Sequence, residues 1–157
     1  MSAQVLMRRR KPEEFLPKEL LMLADPEWSQ VEKYLDQSSW MVAECEGRII
    51  GVCGFMAVDS SAGEIMNAAV DPAYQGKGFG KKLILLTLEQ AQNDGYKKVI
   101  VRTGNSSLDQ LALYQKCGFR MVRIEQDYFV NNYPEPIYEN GIQCRDQVIL
   151  EMYTRER

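Results

Sequence analysis

Apolar residues along the chain fall into short alternating or continuous blocks, broken by polar and turn-forming residues. "QVLMRR", residues 4–9, has the spacing of a strand. "PEEFLPKELLMLA" follows with helical spacing, interrupted at Pro17, whose ring does not fit a helix interior. In "DPEWSQVEKYLD", Asp25 is placed to cap a second helix and Pro26 to open it. "SWMVAECEGRIIGVCGFMAV" reads as two strands joined at Glu46-Gly47. Gly63 precedes a further strand, "EIMNAAV", which ends before Asp71-Pro72. From Phe79 or Gly80, "GKKLILLTLEQAQNDG" predicts a helix with Leu83, Leu86, Leu88 and Ala91 toward a core and Gly95 as its stop.

The second half repeats these themes. "KKVIVRT" is a short apolar strand, and "SSLDQLALYQKCG" a helix capped by Ser106 or Ser107 and stopped by Gly118. "RMVRIEQDYFV" and "DQVILEMYT" predict a closing pair of strands, with "NNYPEPIYENGIQCR" a loop between them. The order β-α-α-β-β-β-α-β-α-β-β predicts one mixed α/β domain over residues 1–157.

Composition narrows the picture by exclusion. The net charge is −3, from 19 basic and 22 acidic residues, so nothing argues for a nucleic-acid partner. No apolar run approaches the roughly 20 residues of a membrane span. The basic residues of "MSAQVLMRRRKPEEF" follow a brief apolar stretch, the reverse of a secretory signal. Arg8-Arg9-Arg10-Lys11 reads as a solvated strand end. Cys45, Cys53, Cys117 and Cys144 lack metal-like spacing, which suits buried free thiols in a reduced, cytoplasmic setting. The sequence contains no histidine, which excludes Ser-His-Asp and Cys-His catalysis and makes a metal centre an unfavoured reading.

The densest chemical signal is "AAVDPAYQGKGFGKKLI", residues 68–84, where Gly76, Gly78 and Gly80 alternate between a strand and a helix. A P-loop would need glycine where Lys81 stands, and a Rossmann fingerprint starting at Gly76 fails at the same residue. The physics of both motifs survives. Unpaired N–H groups at a helix start, glycines that let a ligand approach, and Lys77, Lys81 and Lys82 nearby together make an anion cradle suited to pyrophosphate.

"VDPAYQGKGFGKKL" resembles motif A of the GNAT superfamily of acetyl-CoA-dependent N-acetyltransferases, Gln/Arg-x-x-Gly-x-Gly/Ala after a strand, here Gln75, Gly78 and Gly80. "LALYQKCGF" resembles the family's second hallmark, a helix carrying a tyrosine and ending at Gly-Phe. The element order matches from about Gln4 to Tyr153. The resemblance implies a central, mostly antiparallel sheet of about seven strands flanked by helices, with a splayed strand pair forming the coenzyme cleft. It implies that acetyl-CoA is the co-substrate, and that the amides of Gln75, Gly76, Lys77, Gly78, Phe79, Gly80 and Lys81 hold its pyrophosphate. Ala68, Ala69 and Val70 would then lie against the pantetheine and thioester.

Amide formation needs a neutral amine and a protonated leaving thiolate. By resemblance, Tyr114 is the general acid, and Glu64, six residues before Val70, the general base, with Glu44 and Glu125 as other carboxylates to weigh. The family often has an asparagine seven residues before the tyrosine. Here that position is Ser107, so Asn105 is read as the coenzyme contact and Ser107 as the helix cap. The expected acceptor is a primary amine of a small molecule, with a peptide amine or an inactive binding module as alternatives. A homodimer through exposed late strands is a further possibility.

Overall fold

The computed structural model describes residues 4–154; the ends of the expected 1–157 domain, residues 1–3 and 155–157, lie outside it. Among the described residues nine strands form: β1 (Val5–Arg9), β2 (Ser39–Cys45), β3 (Arg48–Ala57), β4 (Ala62–Val70), β5 (Lys98–Gly104), β6 (Arg120–Glu125), β7 (Tyr138–Glu139), β8 (Ile142–Gln143) and β9 (Gln147–Tyr153). The helices are α1 (Lys18–Ala24), α2 (Trp28–Glu32), α3 (Phe79–Asn93), α4 (Leu108–Lys116) and α5 (Tyr128–Asn132). Seven strands make one sheet in the order β1-β2-β3-β4-β5-β9-β6, antiparallel at every pair except β4–β5.

Apolar side chains bury against both faces of this sheet. On one face α3 lays down Leu83, Ile84, Leu88 and Ala91, spaced as a helical stripe, against Ile50, Cys53, Val99 and Val101. On the other, Leu20 and Leu21 of α1 and Val31 of α2 pack on Trp40, Val42 and Val52. Neighbours Val42 and Ala43 go to opposite clusters, as the twofold period of a strand requires. The four cysteines are free and buried.

Several local expectations are corrected. Asp25 does not cap α2; it is the C-cap of α1, and Glu27 precedes α2. Pro17 is the N-cap of α1 rather than an interruption within a longer helix. Ile84 takes the core position expected of Leu86, which is half-buried. Ser107 stands at the N-cap of α4, but its hydroxyl donates to Glu139 at 2.7 Å instead of bonding the helix. "DYFV" leaves the strand and enters α5. Asn140-Gly141, both with positive φ, turn the expected loop into the β7–β8 hairpin. The basic run is not simply solvated, because Arg8 pairs with Glu14 at 2.7 Å and Glu44 at 2.9 Å.

The β4–β5 ladder positions everything that follows. It pairs Ala62 with Lys98 through Ile65 with Val101 and then stops. β4 continues to Val70 and β5 to Gly104 without pairing to each other. The separation begins where the β3–β4 register shifts: Phe55 faces Ile65 and Gly54 faces Asn67, leaving Met66 as the extra residue. A bulge bends its strand, here away from β5.

Candidate active site

Beyond Val70 the chain turns tightly. Asp71 accepts a hydrogen bond from the Ala73 N–H at 2.9 Å, Pro72–Tyr74 form a single 3-10 turn, and Gly76 and Gly78 adopt φ of +78° and +87°. A Cβ at either glycine would meet nothing, so their backbone is open to a ligand. Gly78 is the N-cap of α3 and provides no side chain to bond the first-turn amides. The helix therefore presents its positive end to the space above it. That space is a cleft of about 500 Å³, bounded by Ala68, Ala69 and Val70 on one side and Gln75, Gly78 and Gly80 on the other. Gly76, Phe79 and Lys81 also line it, whereas Lys77 lies with its ammonium 6.0 Å from the centre of the Tyr74 ring.

The opened edge of β4 has side chains where a neighbouring strand would bond it. Gln75 Nε2 donates to the Val70 carbonyl at 2.8 Å, and Gln110 Nε2 to the Ala68 carbonyl at 3.4 Å. A second hollow of about 520 Å³ lies at the other side of this opening. The two share Leu23, Ala24, Ala68, Gln110 and Glu139, so they meet at the gap between β4 and β5.

Glu64 and Tyr114 both line the second hollow. Arg102 of β5 donates through Nε to Glu64 Oε2 at 3.1 Å, and reaches toward Gln147 Oε1 at 3.5 Å. Burial raises the Glu64 carboxyl above its ordinary pKa, and the Arg102 charge offsets part of that rise. Tyr114 is 4% exposed, packs edge-on to Phe119, and is held firmly in its protonated form by burial.

The roof of this hollow joins distant parts of the chain. Tyr133 donates to Asp25 Oδ1 at 2.8 Å, and Gln30 Nε2 to the Asn132 carbonyl at 3.2 Å. Tyr34 lies 3.4 Å from Asp25 Oδ2 and accepts from Asn67 Nδ2 at 3.0 Å. Burial pushes the Asp25 carboxyl upward, against the hydrogen bonds it accepts. Asn67 Oδ1 has no partner despite its burial, a condition that costs about 1–3 kcal/mol until a donor arrives.

A phosphate-ready helix start, a strand gap leading from it, and a carboxylate and phenol beyond the gap are the parts of an acyl-CoA transferase site. Comparison with known proteins assigns the lineage. The family model described as "Acetyltransferase (GNAT) family" matches residues 5–119. The chain belongs to the GNAT acetyltransferase family. The N-acetyltransferase YvbK of Bacillus subtilis (strain 168), itself described as uncharacterized, is 45% identical over 132 residues, 84% of this chain and 85% of its own. A GNAT acetyltransferase from Elizabethkingia anophelis, solved with acetyl-CoA bound, superposes with a TM-score of 0.91 at 39% identity, covering 96% of this chain and 98% of that one. A protein described as an IAA acetyltransferase from Bacillus cereus ATCC 14579 gives 0.90 at 47% identity, covering 96% and 100%. This GNAT chain is accordingly an N-acetyltransferase, with the seven-stranded, mostly antiparallel sheet of those structures.

Not every residue read from the sequence converges on the GNAT site. Asn105 does not: its Nδ2 donates to the Gln143 carbonyl, and its Oδ1 accepts from the amides of Arg145 and Asp146. Those bonds fasten the segment before β9 and leave Asn105 outside both hollows. Ser107 lines the second hollow instead. Glu44 is occupied with Arg8, away from the gap, and Glu125 lies on the exposed edge strand β6. Sequence reading missed Asp25 as a pocket residue, and also Tyr34, Asn67, Arg102 and Tyr133. An asparagine inside the apolar run "EIMNAAV" was the one local signal among them.

Proposed function

We propose that the protein transfers the acetyl group of acetyl-CoA to a primary amine of a small molecule, by direct attack in a ternary complex. The observation that carries this reading is the junction of the two hollows at Ala68 and Gln110, inside the β4–β5 gap. The amides from Gln75 to Lys81 hold the pyrophosphate at the start of α3. The opened edge of β4 takes the pantetheine arm, with Gln75 and Gln110 yielding the Val70 and Ala68 carbonyls to it. Acetyl-CoA supplies the activated acyl group at Ala68.

The acceptor amine occupies the second hollow. Glu64 removes one proton from the ammonium, and its raised pKa makes it a stronger base than an exposed carboxylate. The neutral nitrogen attacks the thioester carbonyl and forms the new C–N bond. As the tetrahedral intermediate collapses, the C–S bond breaks and Tyr114 donates its proton to the departing sulfur. The second proton lost by the nitrogen passes through solvent to restore the phenol. Burial raises the Tyr114 phenol, so it holds its proton until the strongly basic thiolate departs beside it. Cysteine is given no relay role: Cys144, which lines the second hollow, is pushed above its ordinary pKa by burial, which disfavours an attacking thiolate.

A hollow of about 520 Å³ roofed by Tyr133 and Asp25 has the dimensions of a small-molecule site rather than an open peptide groove. Its aromatic walls, Tyr34, Tyr128 and Phe129, favour an acceptor with an apolar body. The test is thiol release from acetyl-CoA with a panel of alkyl, aryl and amino-sugar primary amines, short peptides and IAA, the last because the Bacillus cereus relative is named for it. Turnover of small amines in preference to peptides and IAA is expected. Preference for peptides, or no turnover of any amine, overturns the reading.

A further inference from the structure

Among the described residues, Asn67 Oδ1 is the buried side-chain polar atom without a hydrogen-bond partner. Asn67 is 3% exposed and lines the hollow that holds Glu64 and Tyr114. Its orientation is fixed chemically. Nδ2 donates to the Leu21 carbonyl at 2.9 Å, and a carbonyl can only accept, so the carboxamide cannot be reversed without setting two acceptors face to face. The second Nδ2 hydrogen goes to the Tyr34 hydroxyl. Both donor positions are thus used within the protein, while the acceptor is left over.

Asn67 follows the bulge residue Met66 and immediately precedes Ala68, at the junction of the two hollows. The bulge breaks the alternation of β4 at this point and re-aims its side chains. We propose that Asn67 Oδ1 is the hydrogen-bond acceptor that binds the attacking amine. This rests on the primary-amine reading above and names the group that recognises it. A primary ammonium has three N–H bonds. One proton leaves to Glu64, one N–H points to Asn67 Oδ1, and the freed lone pair is turned to the thioester carbonyl. As the C–N bond forms, the nitrogen becomes positive and its hydrogen bond to Oδ1 becomes charge-assisted. Asn67 therefore binds the transition state more strongly than the neutral amine.

Two variants separate the halves of the carboxamide. Asn67→Ala and Asn67→Asp both lose the Nδ2 bonds to Leu21 and Tyr34, but only Asp keeps an acceptor oxygen. With phenethylamine as first probe, or otherwise the panel amine with the highest kcat/KM, Asn67→Ala should lose roughly 10-fold or more in kcat/KM. Asn67→Asp should recover most of that loss, since burial keeps the acid protonated, so that one oxygen meets the Leu21 carbonyl through its proton and the other still accepts. Coenzyme affinity by calorimetry should be nearly unchanged in both. Equal losses in the two variants, or no loss in Ala, overturn the proposal and leave Asn67 a packing residue.

If neither variant folds, the wild type decides. The Asn67 side-chain carbonyl ¹³C resonance should move when the same amine joins the CoA complex, and an unmoved resonance overturns the proposal. A wild type that acetylates no amine in the panel instead removes the functional reading beneath it, a distinguishable failure.

Discussion

Glu64 and Arg102 set a pH signature that a single side chain could not. A base must be ionised, so under the proposed role of Glu64 the acid limb of kcat/KM should fall where Glu64 takes up its proton. Burial raises that point above the ordinary 4.5, and Arg102 holds it back. Arg102→Met removes the charge that favours the ionised form, so the acid limb should shift to higher pH. The titration of the amine is common to both enzymes, and the difference between their profiles therefore reports the protein. A limb that stays in place, or moves down, would show that Glu64 is not the titrating base. Tyr114→Phe keeps the buried ring against Phe119 and deletes the donor. It should lower kcat by roughly 10²-fold with little change in coenzyme affinity; a fully active Phe variant would transfer the donor's role to water. Glu64 and Tyr114, proposed from their distances to local motifs, line one hollow. Asp25 and Tyr133 carried no local signal, because their hydrogen bond joins residues 108 positions apart. The bonds of Asn105 were hidden for a related reason: its partners, Gln143 to Asp146, lie on a segment whose position only the tertiary fold reveals.

The strand–helix junction makes the cradle testable without dismantling the fold. At Gly78 any side chain must adopt φ near +87°, which costs about 1–2 kcal/mol, so Gly78→Val combines strain with obstruction. Gly80 is the control site. An added Cβ would sit 3.6 Å from Val70 and 3.7 Å from Leu113, ordinary contact distances, and the motif admits alanine there. Gly80→Ala should leave stability within about 0.5 kcal/mol and acetyl-CoA affinity within about threefold of wild type. Gly78→Val, whose side chain enters the open space over the first-turn amides, should weaken acetyl-CoA binding roughly 10-fold or more. Calorimetry and thermal unfolding on one sample of each check both halves, and unchanged affinity in a folded Gly78→Val would place the pyrophosphate elsewhere. Elements with strong periodicity and punctuation, such as β3, β4 and α3, were readable within a residue or two. The β7–β8 hairpin was hidden by the brevity of its strands, although Asn140-Gly141 signalled the turn. The splay was expected from the family resemblance alone, and no residue pattern placed it. It arises where a register shift opposite Gly54 and Phe55 coincides with the end of a four-pair ladder.

Across the molecule, one sheet carries two hollows that meet at a single gap, and the proposed transfer across it has a kinetic consequence. Under that proposal both substrates must be present together, with the described cysteines buried and Cys144 of the second hollow raised above its ordinary pKa by burial. The roof contact between Tyr133 and Asp25 belongs to the acceptor side alone. Tyr133→Phe should raise the amine KM severalfold, in proportion to one lost hydrogen bond, without altering acetyl-CoA affinity; a parallel loss of coenzyme binding would mean that the roof spans both hollows. Direct transfer across the gap is tested by initial velocities of thiol release, with acetyl-CoA and an amine that the enzyme turns over varied against each other. Reciprocal plots that intersect, as a ternary complex requires, are the predicted result. Parallel lines, the mark of an acetyl-enzyme formed before the amine arrives, would contradict it.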